Sequence, residues 1–143
     1  MDIRRIDETI SVAPQLSVND IAEAAELGFK TLVANRPDRE EAGQPPMADI
    51  EAAAREHGME WVYLPVESGN ILDNDVDRFD AMIRTAEKPV LAFCRSGTRC
   101  TVLWALSSAR YEPVQDIVTK ARSAGYDLNG LAPRMVQQAG KQS

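Results

Sequence analysis

The sequence is poor in the residues that cross-link small proteins or bind metals in them. Its 143 residues include two cysteines, Cys94 and Cys100, and one histidine, His57. Two cysteines exclude a disulfide framework and favour the cytoplasm as the compartment. A structural zinc site would need more cysteine and histidine ligands than this chain offers. We therefore expect neither a metal nor a cofactor.

Long apolar runs and an excess of positive charge are also missing. No segment approaches the length of a membrane span, and the early acids Asp2, Asp7 and Glu8 argue against a signal or transit peptide. The chain has 16 basic and 22 acidic side chains and a net charge of −6, which repels phosphate backbones. These absences predict a protein that binds neither membranes nor nucleic acid.

The composition and the pattern of apolar residues predict one α/β domain over residues 1–143. The hydrophobic fraction is 44%, and a chain of this length can bury a core of its own. Short apolar runs at 31–34, 61–64 and 89–93 have the length of buried strands, and helical patterns separate them. Alternating strands and helices indicate a mainly parallel sheet with helices on both faces.

The most informative stretch is residues 90–100, Val-Leu-Ala-Phe-Cys-Arg-Ser-Gly-Thr-Arg-Cys. A buried strand ends, a short polar loop turns, and a helix follows, which is where open α/β sheets bind ligands. Loop N–H groups and the helix N-terminus attract anions, and they would lower the pKa of a thiol there. We interpret Cys94 as a nucleophile and Arg99 as a bidentate anion ligand. The residues between them are predicted to bind the substrate: Arg95, Ser96, Gly97 and Thr98.

This loop and the elements before it resemble the phosphatase-like domain of the bacterial beta-lactamase hydrolase-like family. That family belongs to the protein-tyrosine and dual-specificity phosphatase superfamily. The resemblance includes residues 13–17, 35–38, 64–66 and 90–99. It implies a phosphatase-like fold, with Cys94 as nucleophile and phosphate held by the loop amides and Arg99. It also implies hydrolysis of phosphate monoesters, such as phosphotyrosine or phosphoserine, through a cysteinyl-phosphate.

Two departures from the phosphatase signature keep an alternative open. Phe93 stands where the signature has histidine, and four residues rather than five separate Cys94 from Arg99. The loop sequence Cys-Arg-Ser-Gly-Thr-Arg is similar to the loop of rhodanese-type sulfurtransferases, whose cysteine carries a persulfide. The substrate is accordingly a phosphate-bearing molecule or a small sulfur donor. An anion-binding module without turnover is the third interpretation.

A phosphatase also needs a proton donor for the leaving oxygen. The resemblance places that acid on a loop before the cysteine, and the matching segment 66–77 offers several carboxylates. Glu67 is the first choice because it follows the preceding strand most closely. Asp75 and Asp77 are expected in the first turn of the next helix, where acids complement the helix dipole.

The remaining candidate site residues are Cys100 and residues in the segment 36–41. Cys100 follows Arg99, where the superfamily places a hydroxyl residue. It is either a resolving thiol for Cys94 or simply a residue of the first helical turn. Arg36 and Asp38 are candidates for the pocket or for a surface ion pair. The acidic run 38–41 is predicted to be a solvated loop.

Overall fold

The core of the fold is a five-stranded sheet with the strand order β1-β2-β5-β3-β4. The strands are β1 (Arg4–Arg5), β2 (Ile10–Ala13), β3 (Thr31–Ala34), β4 (Glu60–Tyr63) and β5 (Val90–Phe93). The strands β2, β5, β3 and β4 run parallel, and β1 pairs antiparallel with β2. The computed structural model describes residues 1–141. The last two residues of the predicted domain 1–143 therefore lie outside the described residues.

Helices connect the parallel strands and cover both faces of the sheet, which confirms the predicted α/β class. The helices are α1 (Val18–Glu26), α2 (Met47–Glu56), α3 (Asp73–Thr85), α4 (Thr98–Ser108), α5 (Val114–Ser123) and α6 (Ala132–Ala139), with a 3₁₀ turn at Asn129–Leu131. Of the helices in residues 1–141, none is both long enough and apolar enough to cross a membrane.

The central strand β5 is buried on both faces, which explains its unbroken apolar sequence. Side chains alternate along a strand, so Val90 and Ala92 pack into the cluster formed with α3, α4, α5 and α6. Leu91 and Phe93 pack into the opposite cluster, formed with α1 and α2. Phe93, which replaces the histidine of the phosphatase signature, is therefore a core residue here.

The parallel pairing brings three chain segments out at one edge of the sheet. Phe93 at the end of β5 lies between Ala13 of β2 and Ala34 of β3. The pairing continues one step further, because the Asn35 N–H donates to the Phe93 carbonyl (2.9 Å) and the Cys94 N–H to the Ala13 carbonyl (3.3 Å). The segments after β2 and β3 therefore flank the loop that begins at Cys94.

Of the two acids expected in the first turn of the helix before β5, Asp75 lies there and Asp77 does not. The Asp75 carboxylate accepts the Leu72 N–H at 2.9 Å, so α3 begins at Asp73. This contact forms because a carboxylate three residues after a free N–H can reach back to it.

Candidate active site

The segment from Cys94 to Gly97 joins the end of β5 to the first turn of α4. Gly97 is the residue before the helix, and its φ of +89° lies in the left-handed region. A Cβ added at Gly97 would collide with the Tyr126 hydroxyl. The backbone conformation therefore favours glycine at this turn, and any side chain here would also displace the Tyr126 hydroxyl.

The carbonyl groups of residues 95–97 all accept hydrogen bonds from outside the loop. The donors are the Gln15 N–H to residue 95 (3.2 Å), the Tyr126 hydroxyl to residue 96 (3.0 Å) and the Thr101 hydroxyl to residue 97 (2.8 Å). In a trans peptide the next N–H points opposite to the carbonyl. Holding the first two carbonyls outward therefore turns the Ser96 and Gly97 N–H groups towards the inside of the loop, whereas the Thr98 N–H donates to the Ser96 hydroxyl at 3.4 Å.

The Cys94 sulfur lies inside this loop and is stabilised as a thiolate. Cys94 is 1% exposed, and the Gly97 N–H donates to its Sγ at 3.1 Å. A hydrogen bond from the Cys100 thiol, assisted by the N–H groups of Cys100, Ser96 and Gly97, lowers the pKa of Cys94 to about 5, although burial opposes the shift. Cys94 is thus ionised at neutral pH.

Cys100 has the opposite protonation state. It is the third residue of α4 and is fully buried. Burial, together with the hydrogen bond to the Cys94 thiolate and the charge of that thiolate, raises the pKa of Cys100 well above its usual value. Cys100 therefore stays a neutral S–H donor, in the place where the superfamily has a hydroxyl.

Arg99 reaches from α4 to the segments that follow β3 and β4. Its Nη1 lies 2.7 Å from Glu40 Oε2 and 3.0 Å from the Val66 carbonyl, and its Nη2 lies 2.8 Å from Glu40 Oε1. The bidentate pair with Arg99 lowers the pKa of Glu40 to about 2, with a further contribution from Arg36. Glu40 is therefore a permanent carboxylate at neutral pH.

The second loop arginine has a similar partner. The Nε of Arg95 lies 2.9 Å from Glu41 Oε1, and the Nη2 of Arg36 lies 3.0 Å from the same atom. Arg36 itself is buried and pairs with Glu40 at 2.9 Å. A chain of alternating charges therefore joins Arg95 to Arg99 through the segment after β3.

A cleft of about 660 Å³ opens beside the loop. Its walls come from the loop and α4, from the segments after β3 and β4, and from the C-terminal region. The lining residues are Glu40, Glu41, Ser68, Gly69, Asn70, Ile71, Arg95, Ser96, Thr98, Arg99, Val102, Leu131 and Arg134. The cleft is large enough to hold a group several times the size of a phosphate ion, and its wall is partly apolar.

The structure brings most of the predicted site residues together. Arg95, Ser96, Thr98 and Arg99 line the cleft, and Cys94 and Gly97 lie within the loop that forms its edge. Glu67 is not among the lining residues. It is exposed and forms a bridge with Asn70, which does line the cleft.

The other carboxylates of the segment after β4 are engaged elsewhere. Asp73 pairs with Arg134 (3.1 Å) and Lys141 (2.8 Å). Asp75 caps α3, and Asp77 pairs with Arg110 at 2.5 Å. The cleft-lining carboxylates are instead Glu40 and Glu41.

The sequence did not identify Glu40, Glu41 or Tyr126 as parts of the site. The acidic run 38–41 was predicted to be a solvated loop, and its residues are exposed and lie outside any helix or strand. The prediction did not include the pairing of Glu40 and Glu41 with the loop arginines. A usable signal was their position on the loop after a buried strand that neighbours β5. Asp38 instead accepts the Met47 N–H at 3.1 Å at the start of α2.

The ionised state of Cys94 can be tested by alkylation. Because its pKa is lowered to about 5, we expect the rate with a small neutral electrophile to rise through pH 5 and to level off by neutral pH. A rate that keeps rising to about pH 8.5, the value of a free thiol, would contradict the proposed stabilisation. Cys100 stays protonated and buried, and Cys94→Ser should remove the reaction.

Comparison with known proteins gives the family. The model of the phosphatase-like domain of the beta-lactamase hydrolase-like protein matches residues 2–111. A beta-lactamase hydrolase-like protein of Agrobacterium fabrum (strain C58) is 35% identical over 126 residues, which cover 87% of this chain and 29% of that protein. One from Xylella fastidiosa (strain Temecula1) is 30% identical and has 33% of its length covered. The chain thus spans about a third of the length of these curated relatives.

Solved structures agree with this assignment. A candidate phosphatase of Neisseria meningitidis Z2491 is 39% identical, with a TM-score of 0.85 and coverage of 96% of this chain and 99% of that one. The catalytic domain of the PP-IP phosphatase SIW14 of S. cerevisiae, 13% identical, shares the fold with a TM-score of 0.70 over 97% of this chain and 84% of that one. The resemblance noted from the loop is therefore confirmed, and the chain belongs to the family of phosphatase-like domains of beta-lactamase hydrolase-like proteins.

Proposed function

We propose that the chain hydrolyses phosphate monoesters through a cysteinyl-phosphate on Cys94. The observation that carries this proposal is the lowered pKa of Cys94, inside a loop that turns N–H groups towards its sulfur. A thiolate is the nucleophilic form of cysteine. The N–H groups and the N-terminus of α4 that stabilise it are the same groups that would stabilise phosphoryl oxygens.

The reaction proceeds in two displacements. The Cys94 thiolate attacks phosphorus, the ester P–O bond breaks, and the leaving oxygen keeps the electron pair and takes up a proton. Water then attacks the phosphorus and loses a proton to the solvent, which balances the proton taken up by the leaving oxygen. The S–P bond breaks with its electron pair on sulfur, so inorganic phosphate is released and the thiolate is restored. In both steps Arg99 and the loop N–H groups would hold the equatorial oxygens.

The carboxylates of the cleft favour esters with good leaving groups. Glu40 has a pKa of about 2 and has no proton to give at neutral pH. Glu41 pairs with Arg36 and Arg95. Aryl phosphates need less protonation of the leaving oxygen than alkyl phosphates do, so we expect aryl phosphates to be the better substrates.

A sulfurtransferase activity is the second candidate, and the length of the loop favours it. Four residues separate Cys94 from Arg99, which makes the ring of donors smaller than in the phosphatase signature. A ring of this size suits the single terminal sulfur of a persulfide. With thiosulfate, the Cys94 thiolate would take the outer sulfur and release sulfite. Cyanide would then remove that sulfur as thiocyanate and restore the thiolate.

A substrate panel distinguishes the two chemistries. We expect slow, measurable hydrolysis of an aryl phosphate, which Cys94→Ser abolishes. Arg99→Lys should lower kcat/KM by roughly 10²- to 10³-fold, because a point charge cannot replace a bidentate guanidinium. Phosphate release in steady-state assays measures both effects. Arg55→Lys, on the exposed pair with Glu51, is the matched control and should leave the rate unchanged.

The mass of Cys94 decides between the candidates when ester turnover is absent. No hydrolysis across a panel of aryl and alkyl esters, together with gain of one sulfur on Cys94 from thiosulfate, would replace the first proposal with the second. Normal ester hydrolysis by Cys94→Ser would contradict both covalent mechanisms. Anion binding without either reaction would leave the binding module as the function.

Glu67 stays the predicted proton donor and can be tested separately. It is exposed, next to the cleft-lining segment that begins at Ser68. If Glu67 protonates the leaving group, Glu67→Gln slows alkyl phosphates far more than activated aryl phosphates, since only poor leaving groups need the proton. The measured quantity is kcat/KM for the aryl ester divided by kcat/KM for the alkyl ester. The same ratio in Glu67→Gln and in the control Glu60→Gln would exclude this role.

We also propose that Cys100 is the resolving thiol for Cys94. Peroxide would convert the Cys94 thiolate to a sulfenic acid, which removes its negative charge and with it one cause of the raised pKa of Cys100. Cys100 can then condense with the sulfenic acid to give a disulfide and water. Peptide mapping after mild peroxide should show this bridge. Cys100→Ser should instead give sulfinic acid on Cys94, and the same product without a bridge in the unaltered chain would refute the role.

A further inference from the structure

The guanidinium of Arg99 uses only part of its hydrogen-bonding capacity on the protein. Arginine has five N–H donors in a planar fork. Three of them are engaged, since Nη1 donates to Glu40 and to the Val66 carbonyl and Nη2 donates to Glu40. Within residues 1–141, the Nε–H and the second Nη2–H have no acceptor. These two parallel donors form the edge of the fork that Glu40 leaves open.

The carboxylate of Glu40 is also held by a second arginine, Arg36. Its Oε1 also accepts the Nε–H of Arg36 at 2.9 Å, and Arg36 is only 4% exposed. Arg36 in turn donates to Gln15 (3.1 Å) and to Glu41 (3.0 Å). The carboxylate of Glu40 therefore has little freedom to move, and it fixes the orientation of the guanidinium of Arg99, a residue that is 7% exposed.

We infer that Glu40 is a positioning residue that presents the Nε–Nη2 edge of Arg99 to the anion held by the loop. This role rests on the proposed function, because it assumes that Arg99 binds an anion. A bidentate carboxylate on one edge of a planar group fixes the direction of the opposite edges. A misdirected contact in an active site typically lowers the rate by about 10²-fold.

The negative charge of Glu40 and its bidentate contact with Arg99 have opposite effects on anion binding. A carboxylate beside an anion site repels the anion, so removal of the charge alone would tighten anion binding. Removal of the bidentate contact frees the guanidinium to rotate and would weaken anion binding. The sign of the change in Glu40→Gln therefore shows which effect dominates, and a purely structural role predicts no change in a folded variant.

Inorganic phosphate is the probe, and its Kd is measured by calorimetry beside kcat and KM for an aryl phosphate. We expect Glu40→Gln to weaken phosphate binding and to lower kcat/KM by about 10- to 100-fold. Glu40→Asp keeps the charge but shortens the side chain by one methylene, and it should weaken binding by a smaller factor. Glu51→Gln makes the same change in the exposed pair with Arg55 and should leave both values unaltered. A melting curve for each variant shows that it is folded.

Coupling to Arg99 separates this inference from the proposed function. In an Arg99→Lys background, Glu40→Gln should cause no further loss, because the group that it positions has gone. Unchanged or tighter phosphate binding in folded Glu40→Gln and Glu40→Asp, with a clear loss in Arg99→Lys, overturns the role of Glu40 alone. If Arg99→Lys itself binds phosphate normally, the proposed role of Arg99 falls, and that of Glu40 falls with it.

Discussion

The parallel pairing of β3 with β5 is the constraint on which the rest of the site depends. It sets Ala34 opposite Phe93, so the segments that follow these strands leave the sheet side by side. One segment provides the cysteine and its loop, and the other provides the carboxylates that hold the arginines. A change of register by one residue would turn every side chain of β5 to the other face. It would also separate the two segments, so sheet packing and site chemistry depend on the same pairing.

Hydrogen bonds from donors outside the loop fix the direction of its peptide groups. Three neighbouring carbonyl groups accept hydrogen bonds from Gln15, Tyr126 and Thr101, and the Ser96 and Gly97 N–H groups that follow the first two carbonyls face the sulfur. Burial alone would favour the neutral thiol of Cys94. The donors outweigh this desolvation, as the lowered pKa shows. The ionised state of Cys94 therefore depends on its direct donors, the Cys100 thiol above all, and on contacts to the loop that never reach the sulfur.

The sequence is sufficient for the α/β class and for the loop between Cys94 and Arg99, because both are encoded locally. Apolar runs predict buried strands, and a cysteine followed by arginines at a strand end predicts an anion site. The partners of that loop are encoded by long-range contacts. Glu40 lies 59 residues before Arg99 in the chain, and only the strand order makes the two neighbours. Without that order, the sequence gives no sign that Glu40 and Glu41 on this exposed loop pair with the arginines after Cys94.

The hydrogen bond from Tyr126 to the loop bears on where this domain can be cut. The family match ends at residue 111, yet Tyr126 holds the Ser96 carbonyl, and Leu131 and Arg134 form one wall of the cleft. An expression fragment or a fusion built on the matched segment alone would keep all five strands and the cysteine loop. It would nevertheless leave that loop open on one side. A fragment that keeps this candidate site whole therefore extends at least to α6, well past the last strand.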